Sequence, residues 1–228
     1  MESIGQKGTL KLASYNIRNG KGMDGKTDLD RTVSVIKNMD ADVIALQEVD
    51  SMTKRNEVDV LKYLEEKLKL NSVFGAAISY QGGKYGVGLL SKQKPIRHYT
   101  IPLPGKEEER VLLVVEFKKY IVFSTHLSLT EADRNTSVEI INQQAALFTK
   151  PVYLFGDLNA EPQSTAMTLL KRDWNLLSGE APTFPATNPT KCIDFILSRN
   201  SKKERISTTV IEEPMASDHR PLLVTIKE

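Results

Sequence analysis

The chain has almost no cysteine. Cys192 is the only one in 228 residues, so no disulfide framework can brace the fold, and the redox compartment stays open. Long apolar runs are missing too: stretches such as Val111–Val115 are strand-sized, far short of the roughly 18 residues that read as a membrane span. Charge of one sign is scarce, since 31 basic against 29 acidic side chains leave +2. That balance is too even to predict a general polyanion or membrane-surface binder. No repeat, low-complexity tract or linker-like stretch divides the chain. Residues 1–8 are short and polar with no apolar h-region; they read as a flexible N-terminal segment before a single domain over 9–228. No signal peptide is visible, so a cytoplasmic location is expected unless a leader was removed. A monomer is the expected state.

What is present suffices for a core. Hydrophobic residues at 40% and charged residues at 26% exclude a disordered chain. Val43–Leu46 and Val152–Phe155 are apolar runs of the kind buried on both faces. Leu10–Tyr15, Gly86–Ser91, Val111–Phe117, Ile121–Thr125, Ile193–Leu197, Thr208–Ile211 and Leu222–Ile226 read as further strands. Leu29, Val33 and Ile36 repeat with helical spacing behind Thr27 or Asp28 as a cap, and Leu61, Leu64 and Leu68 repeat the pattern. Glu131–Phe148 predicts a longer helix, and Ser164 caps a short one over Thr165–Leu170. Helices alternate with strands early and again near the centre, whereas Asn71–Thr125 reads as consecutive strands. That meander does not suit one doubly wound parallel sheet; two mixed sheets packed face to face with helices outside accommodate it. Ser201–Arg205 reads as a basic surface turn.

The chemistry-bearing residues follow the strands. Asn16 ends the first, Gln47-Glu48 the second, His126 follows Ile121–Thr125, and Gly156-Asp157-Leu158-Asn159 follows Val152–Phe155. Asp194 opens another strand and Ser217-Asp218-His219 precedes the last. Singly, each is an ordinary turn former, cap or solvated strand end; jointly they converge on one rim, where sites form. Two of the three histidines belong to the set; His98 does not. No Gly-x-Ser-x-Gly elbow exists, and Cys192 reads as strand packing, so a covalent nucleophile is not expected.

Ser14-Tyr15-Asn16-Ile17, Leu46-Gln47-Glu48-Val49, Ser124-Thr125-His126-Leu127, Gly156-Asp157-Leu158-Asn159-Ala160, Ile193-Asp194-Phe195-Ile196 and Ser217-Asp218-His219-Arg220-Pro221 resemble, in order and spacing, the endonuclease/exonuclease/phosphatase family. The resemblance implies the four-layer αββα sandwich of deoxyribonuclease I and a metal-dependent phosphoesterase using Mg²⁺ or Mn²⁺. It implies Glu48 as first metal ligand, with Asp218 completing the site or binding a second metal, and Asn16 holding a ligand or the phosphate. Asp157 is the candidate base that orients water, with Asn159 donating to a phosphate oxygen. Asp194 would hold His219 as a cation that stabilises transition-state charge, the reverse assignment of base being the alternative. His126 would meet the phosphate or leaving group; its supporting acid is not assignable, since Tyr80–Leu89 holds no carboxylate.

The substrate expected is a phosphodiester or phosphomonoester, small or lipid- or inositol-derived, with Arg18 and Arg55 (and Lys191) as candidate cations toward it. Arg18 stands two positions after Asn16, where abasic-site nucleases of the family carry an acid; nucleic acid is thus the less favoured substrate, with little global charge to support it. A non-catalytic binding module is a further alternative. So is a nucleotide-binding loop, because Gly20–Thr27 matches the Walker A pattern. That reading lacks an acidic partner strand and leaves His126, Asp157, Asn159 and His219 idle; the glycines then make a flexible turn beside the site.

Overall fold

The computed structural model describes residues 8–201 and 205–227. Nearly all of the expected N-terminal segment and the middle of the Ser201–Arg205 turn lie outside the described residues. One sheet contains β1 (Thr9–Asn16), β2 (Val43–Thr53), β3 (Asn56–Asp59), β4 (Asn71–Tyr80), β5 (Gly83–Ser91), β12 (Arg205–Val210) and β13 (Leu222–Lys227). Its order is β12-β13-β1-β2-β5-β4, with β3 paired onto β2. The other contains β6 (Arg97–Leu103), β7 (Arg110–Glu116), β8 (Ile121–His126), β9 (Val152–Asp157), β10 (Asn175–Leu176) and β11 (Asp194–Arg199), ordered β10-β11-β9-β8-β7-β6. Both sheets are mixed, as expected: β1–β2 and β8–β9 run parallel and the remaining pairs antiparallel.

The apolar runs explain the layering. Successive side chains on a strand face opposite ways, so a continuous run feeds two cores at once. On β2, Val43 and Ala45 join the core between the sheets, whereas Ile44 and Leu46 join the one under the helices α1 (Leu29–Met39) and α2 (Val60–Leu68). On β9, Tyr153 and Phe155 face the central core, and Val152 and Leu154 face α3 (Glu131–Ala145) and α4 (Thr165–Leu170). Three apolar layers between four layers of backbone make the αββα sandwich.

Helix boundaries follow side-chain chemistry. Asp28, rather than Thr27, caps α1 by accepting the Arg31 amide at 2.9 Å, and Ser164 caps α4 by accepting the Met167 amide at 3.3 Å. Each such cap contributes about 1 kcal/mol. The α3 helix stops at Ala145, short of the predicted Phe148. There the Leu147 and Phe148 amides donate to the Gln144 and Ala145 carbonyls. This tighter turn swings the Phe148 ring edge-on to Phe123 at 6.1 Å.

Register sets the rim. The parallel pair β1–β2 places Asn16 opposite Gln47. In the second sheet, His126 of β8 stands opposite Asp157 of β9, which stands opposite Asp194 of β11. Three polar residues thus share one row at the edge of an otherwise apolar sheet. Gly156 permits this close pairing, because a Cβ there would stand 2.3 Å from the Thr125 carbonyl oxygen. Gly156→Ala is expected to lower stability by about 1–3 kcal/mol, as over-packing does. A urea unfolding midpoint equal to that of the unmodified protein would show that β8 and β9 need no glycine.

Candidate active site

Glu48 reaches the rim through a break in pairing. Leu46 opposes Gly88 and Val49 opposes Gly86, so Gln47 and Glu48 together oppose one residue of β5. Glu48 takes φ 58° in this bulge, a left-handed conformation costly for a non-glycine residue. Bulges of this kind re-aim a side chain; here the turned one is a carboxylate whose neighbours Leu46 and Val49 are core.

The Asp157 carboxylate is the hub. Its Oδ2 accepts from Asn16 Nδ2 at 3.1 Å and lies 3.4 Å from His126 Nε2 and 3.5 Å from His219 Nε2. Its Oδ1 accepts the Asn159 amide at 3.0 Å. Asn16 is fully buried and donates also to Glu48 Oε1 at 3.0 Å, tying the two sheets together, while its own oxygen accepts the Arg18 amide. Asn16 here joins the two acids rather than presenting an oxygen to a metal. On the far side of His219, Nδ1 meets Asp194 Oδ2 at 2.9 Å, and the Thr183 hydroxyl donates to the same oxygen at 2.5 Å. The Ser217 hydroxyl donates to the Asn16 carbonyl at 2.7 Å and so anchors the Ser217–His219 segment to the end of β1.

This arrangement separates the two histidines. Burial alone would depress His219, but Asp194 and Asp157 on either side outweigh it and hold the ring up at about 10. Burial dominates at His126 and pushes it down to about 4 despite Asp157. One ring is a cation at neutral pH and the other is neutral. The acid beside His126 is Asp157 itself.

Burial raises the Glu48 carboxyl above its usual value; the Asn16 bond opposes this, and Asp218 and Asp157 add to it. A half-buried carboxylate that two acids further disfavour, in a set of oxygen donors, fits a hard divalent cation such as Mg²⁺. Asp218 is partly satisfied by Arg18, Nε to Oδ2 at 3.3 Å. Ligand atoms of Asp157, Asp194 and His219 also lie within 4.8 Å of one another, a buried group compatible with a metal. There the imidazolium already stands between its two carboxylates.

These side chains border a cleft of about 660 Å³ that includes Glu48, His126, Asp157, Asn159, Asp218 and His219. Asn159, in a left-handed turn at φ 47°, spends one amide N–H on the Leu127 carbonyl at 2.9 Å. Lys191 and Phe184 line the same cleft, and the Phe184 ring lies 4.8 Å from that of His219. Arg55 is held by Asp50 through two bonds of 2.8 and 2.9 Å and lies over Tyr80 and Tyr85. Asp50, with its side chain fully buried, is the partner that sequence reading missed, its only signal being an acid inside an apolar strand. His98 is exposed on β6, and Cys192 packs in the core beneath α4.

The Walker-like segment is not a phosphate cradle. Such a loop aims its amides at phosphates, whereas Gly22, Met23, Gly25 and Lys26 donate theirs to Lys26 O, Met215 O, Gly22 O and Asp24 Oδ1. The turn expected to be flexible is pinned by these bonds.

Residues 13–219 match the model of the Endonuclease/Exonuclease/phosphatase family. Solved structures agree over nearly the whole chain. An endonuclease/exonuclease/phosphatase from Beutenbergia cavernae DSM 12333 superposes with TM-score 0.83 at 20% identity, covering 97% of this chain and 72% of that one. The mannosyl-6-phosphatase of Bacteroides thetaiotaomicron VPI-5482 gives 0.76 at 18%, covering 96% and 100%. Truncated TDP2 of Caenorhabditis elegans gives 0.70 at 17%, covering 96% and 98%. At such identities the likeness is one of fold.

Asp194→Asn removes the foremost of the anions that keep His219 charged, so the ring should titrate at lower pH. Imidazole ¹⁵N shifts of the metal-free protein provide the readout, and an unmoved midpoint would mean that Asp157 alone sustains the charge.

Proposed function

The chain belongs to the endonuclease/exonuclease/phosphatase family, matched over residues 13–219, and on that premise we propose that it hydrolyses a phosphate ester with the aid of Mg²⁺ or Mn²⁺. The observation that carries this reading is the single Asp157 carboxylate facing Asn16, His126 and His219 in a cleft shared with Glu48 and Asp218. Phosphate esters resist hydrolysis because their oxygens repel an incoming nucleophile; positive charge and donors on those oxygens relieve the repulsion.

Glu48 and Asp218 would hold the metal, which when bound supplies Lewis-acid charge to the phosphate. Asp157 orients the attacking water and receives its proton. It acts through its position, which the Asn16 amide and the Asn159 backbone N–H fix. His219, kept charged by Asp194, places a cation against the phosphate oxygens as negative charge gathers there. This argues for Asp157 as base and His219 as electrostatic stabiliser, since a ring already protonated at neutral pH cannot take up a proton. His126, neutral at that pH, serves as a hydrogen-bonding group toward phosphate or leaving oxygen. The second N–H of the Asn159 amide serves the same end.

A small phosphate ester, lipid- or inositol-derived in the first instance, is preferred over nucleic acid. The net charge of +2 offers little long-range attraction to a polyanion. Glu48→Ala should abolish Mg²⁺-stimulated hydrolysis of an aryl phosphodiester while leaving the circular dichroism spectrum unchanged, and chelator should do the same to the unmodified protein. Asp157→Ala and His219→Ala should each cost about 10²–10⁴ in kcat/KM. Losses under tenfold would remove these two residues from the chemistry. A parallel assay in which plasmid DNA is nicked faster than any small ester would favour the nuclease reading.

A further inference from the structure

A second cleft, of about 410 Å³, opens beside the first, and Glu48 lines both. Its walls are Arg18 and Arg55, the Lys21–Thr27 turn, and Asn19. The catalytic scheme above uses none of Asn19, Lys21 or the turn.

Three features mark the cleft as built for an anion. Arg55 is immobilised: Asp50 holds Nε and one terminal nitrogen from behind, and the guanidinium lies 4.6 Å over Tyr80 and 5.2 Å over Tyr85. Its other terminal nitrogen makes no hydrogen bond among the described residues. Lys21 is exposed at the mouth and forms no ion pair among the described residues. Asn19 is only 8% exposed, yet its carboxamide makes no hydrogen bond among the described residues, although it lines the cleft. What little of Asn19 is exposed lies on the cleft, where its carboxamide is free to bond an occupant. The backbone of Asn19 is fixed in place: it is left-handed at φ 49°, and Asn56 Nδ2 donates to its carbonyl at 2.8 Å. Of the nearby acids, Asp50 is buried behind Arg55, Asp218 stands beside Arg18, and Glu48 borders the cleft on the side it shares with the first one.

We propose that this cleft is an oxyanion subsite, which takes a second anionic group of the substrate, phosphate or carboxylate, on the Arg18–Arg55 side of Glu48. The inference rests on the phosphoesterase reading and refines it: the substrate is doubly anionic, with the scissile phosphate at Asp157 and the other group among Arg55, Lys21 and Asn19. The pinned Walker-like turn then has a use as the wall that presents Lys21.

The test uses 4-nitrophenyl alkyl phosphodiesters whose alkyl arm, three to six carbons long, ends in phosphate, carboxylate or hydroxyl. With Mg²⁺, one anion-terminated arm should exceed the hydroxyl-terminated arm of equal length about tenfold or more in kcat/KM, chiefly through KM, as charge-assisted contacts imply. The better of the two anionic ends identifies the group. Lys21→Ala should bring the ratio toward one, Lys21→Glu below one, and Lys21→Arg should restore it. Calorimetric binding of butane-1,4-diyl bisphosphate against butyl phosphate reads the same preference without turnover. Equal hydrolysis of all three arms, or a ratio indifferent to Lys21, overturns the subsite and leaves the phosphoesterase reading standing. No hydrolysis with a retained Lys21-dependent binding preference does the reverse. Equal binding of the two ligands without hydrolysis sinks both.

Discussion

A buried carboxylate needs partners, and Asp157 draws them from four separate parts of the chain: donors from Asn16 at the end of β1 and from the turn after β9, and the His126 and His219 rings from the end of β8 and the segment before β13. Stripping such a group of its partners costs several kcal/mol, so these parts are held together by the same demand that makes the site. The Asn16 amide matters most in this respect. It is the link that crosses from one sheet to the other, satisfying Glu48 and Asp157 together.

The backbone around this point departs from ordinary geometry where function would require it. Glu48 in the β2 bulge, Arg18 and Asn19 after β1, and Asn159 after β9 all have positive φ without being glycine. Each sits next to a strand whose preceding residues are fully buried, so the apolar layers on both sides supply the stability that offsets the local strain. Glu48 makes this departure inside β2, where pairing with β5 resumes at Val49; the others make it just past a strand's end.

Much of this was legible in the residues. Runs such as Val43–Leu46 and Val152–Phe155 announce strands covered on both faces, and the acids, amides and histidines that end them mark a rim. What sequence could not show was partnership. Nothing in the spacing reveals that Thr183 would donate to Asp194, or that Arg55 would be pinned by Asp50, because each pair is made by a turn whose path depends on packing elsewhere. The carboxylate beside His126, Asp157, is hidden from the sequence for the same reason. It stands in register on β9, a relationship that exists only once β8 and β9 pair in parallel. The Walker pattern misleads in the opposite direction: the right letters are present, but their amides are spent on the turn itself.

The two histidines show how one anion can produce two different chemistries. Both ring Nε2 atoms face the same Asp157 oxygen at nearly equal distance, 3.4 and 3.5 Å. If that carboxylate alone decided their charge, they would titrate alike. What separates them is the second neighbour. His219 has Asp194 behind it, at 2.9 Å from Nδ1, and two flanking anions outweigh its burial. His126 has no second carboxylate at that range among the described residues, and Arg110 lies near enough to oppose a charge, so burial prevails. A pair of rings set apart in this way supplies a fixed cation and a neutral donor side by side, at neutral pH, from one buried acid. The arrangement depends on Asp194 being the first residue of β11, opposite Asp157 in register; a slip of one residue would turn its side chain to the other face of the sheet and take from His219 the neighbour that most distinguishes it from His126.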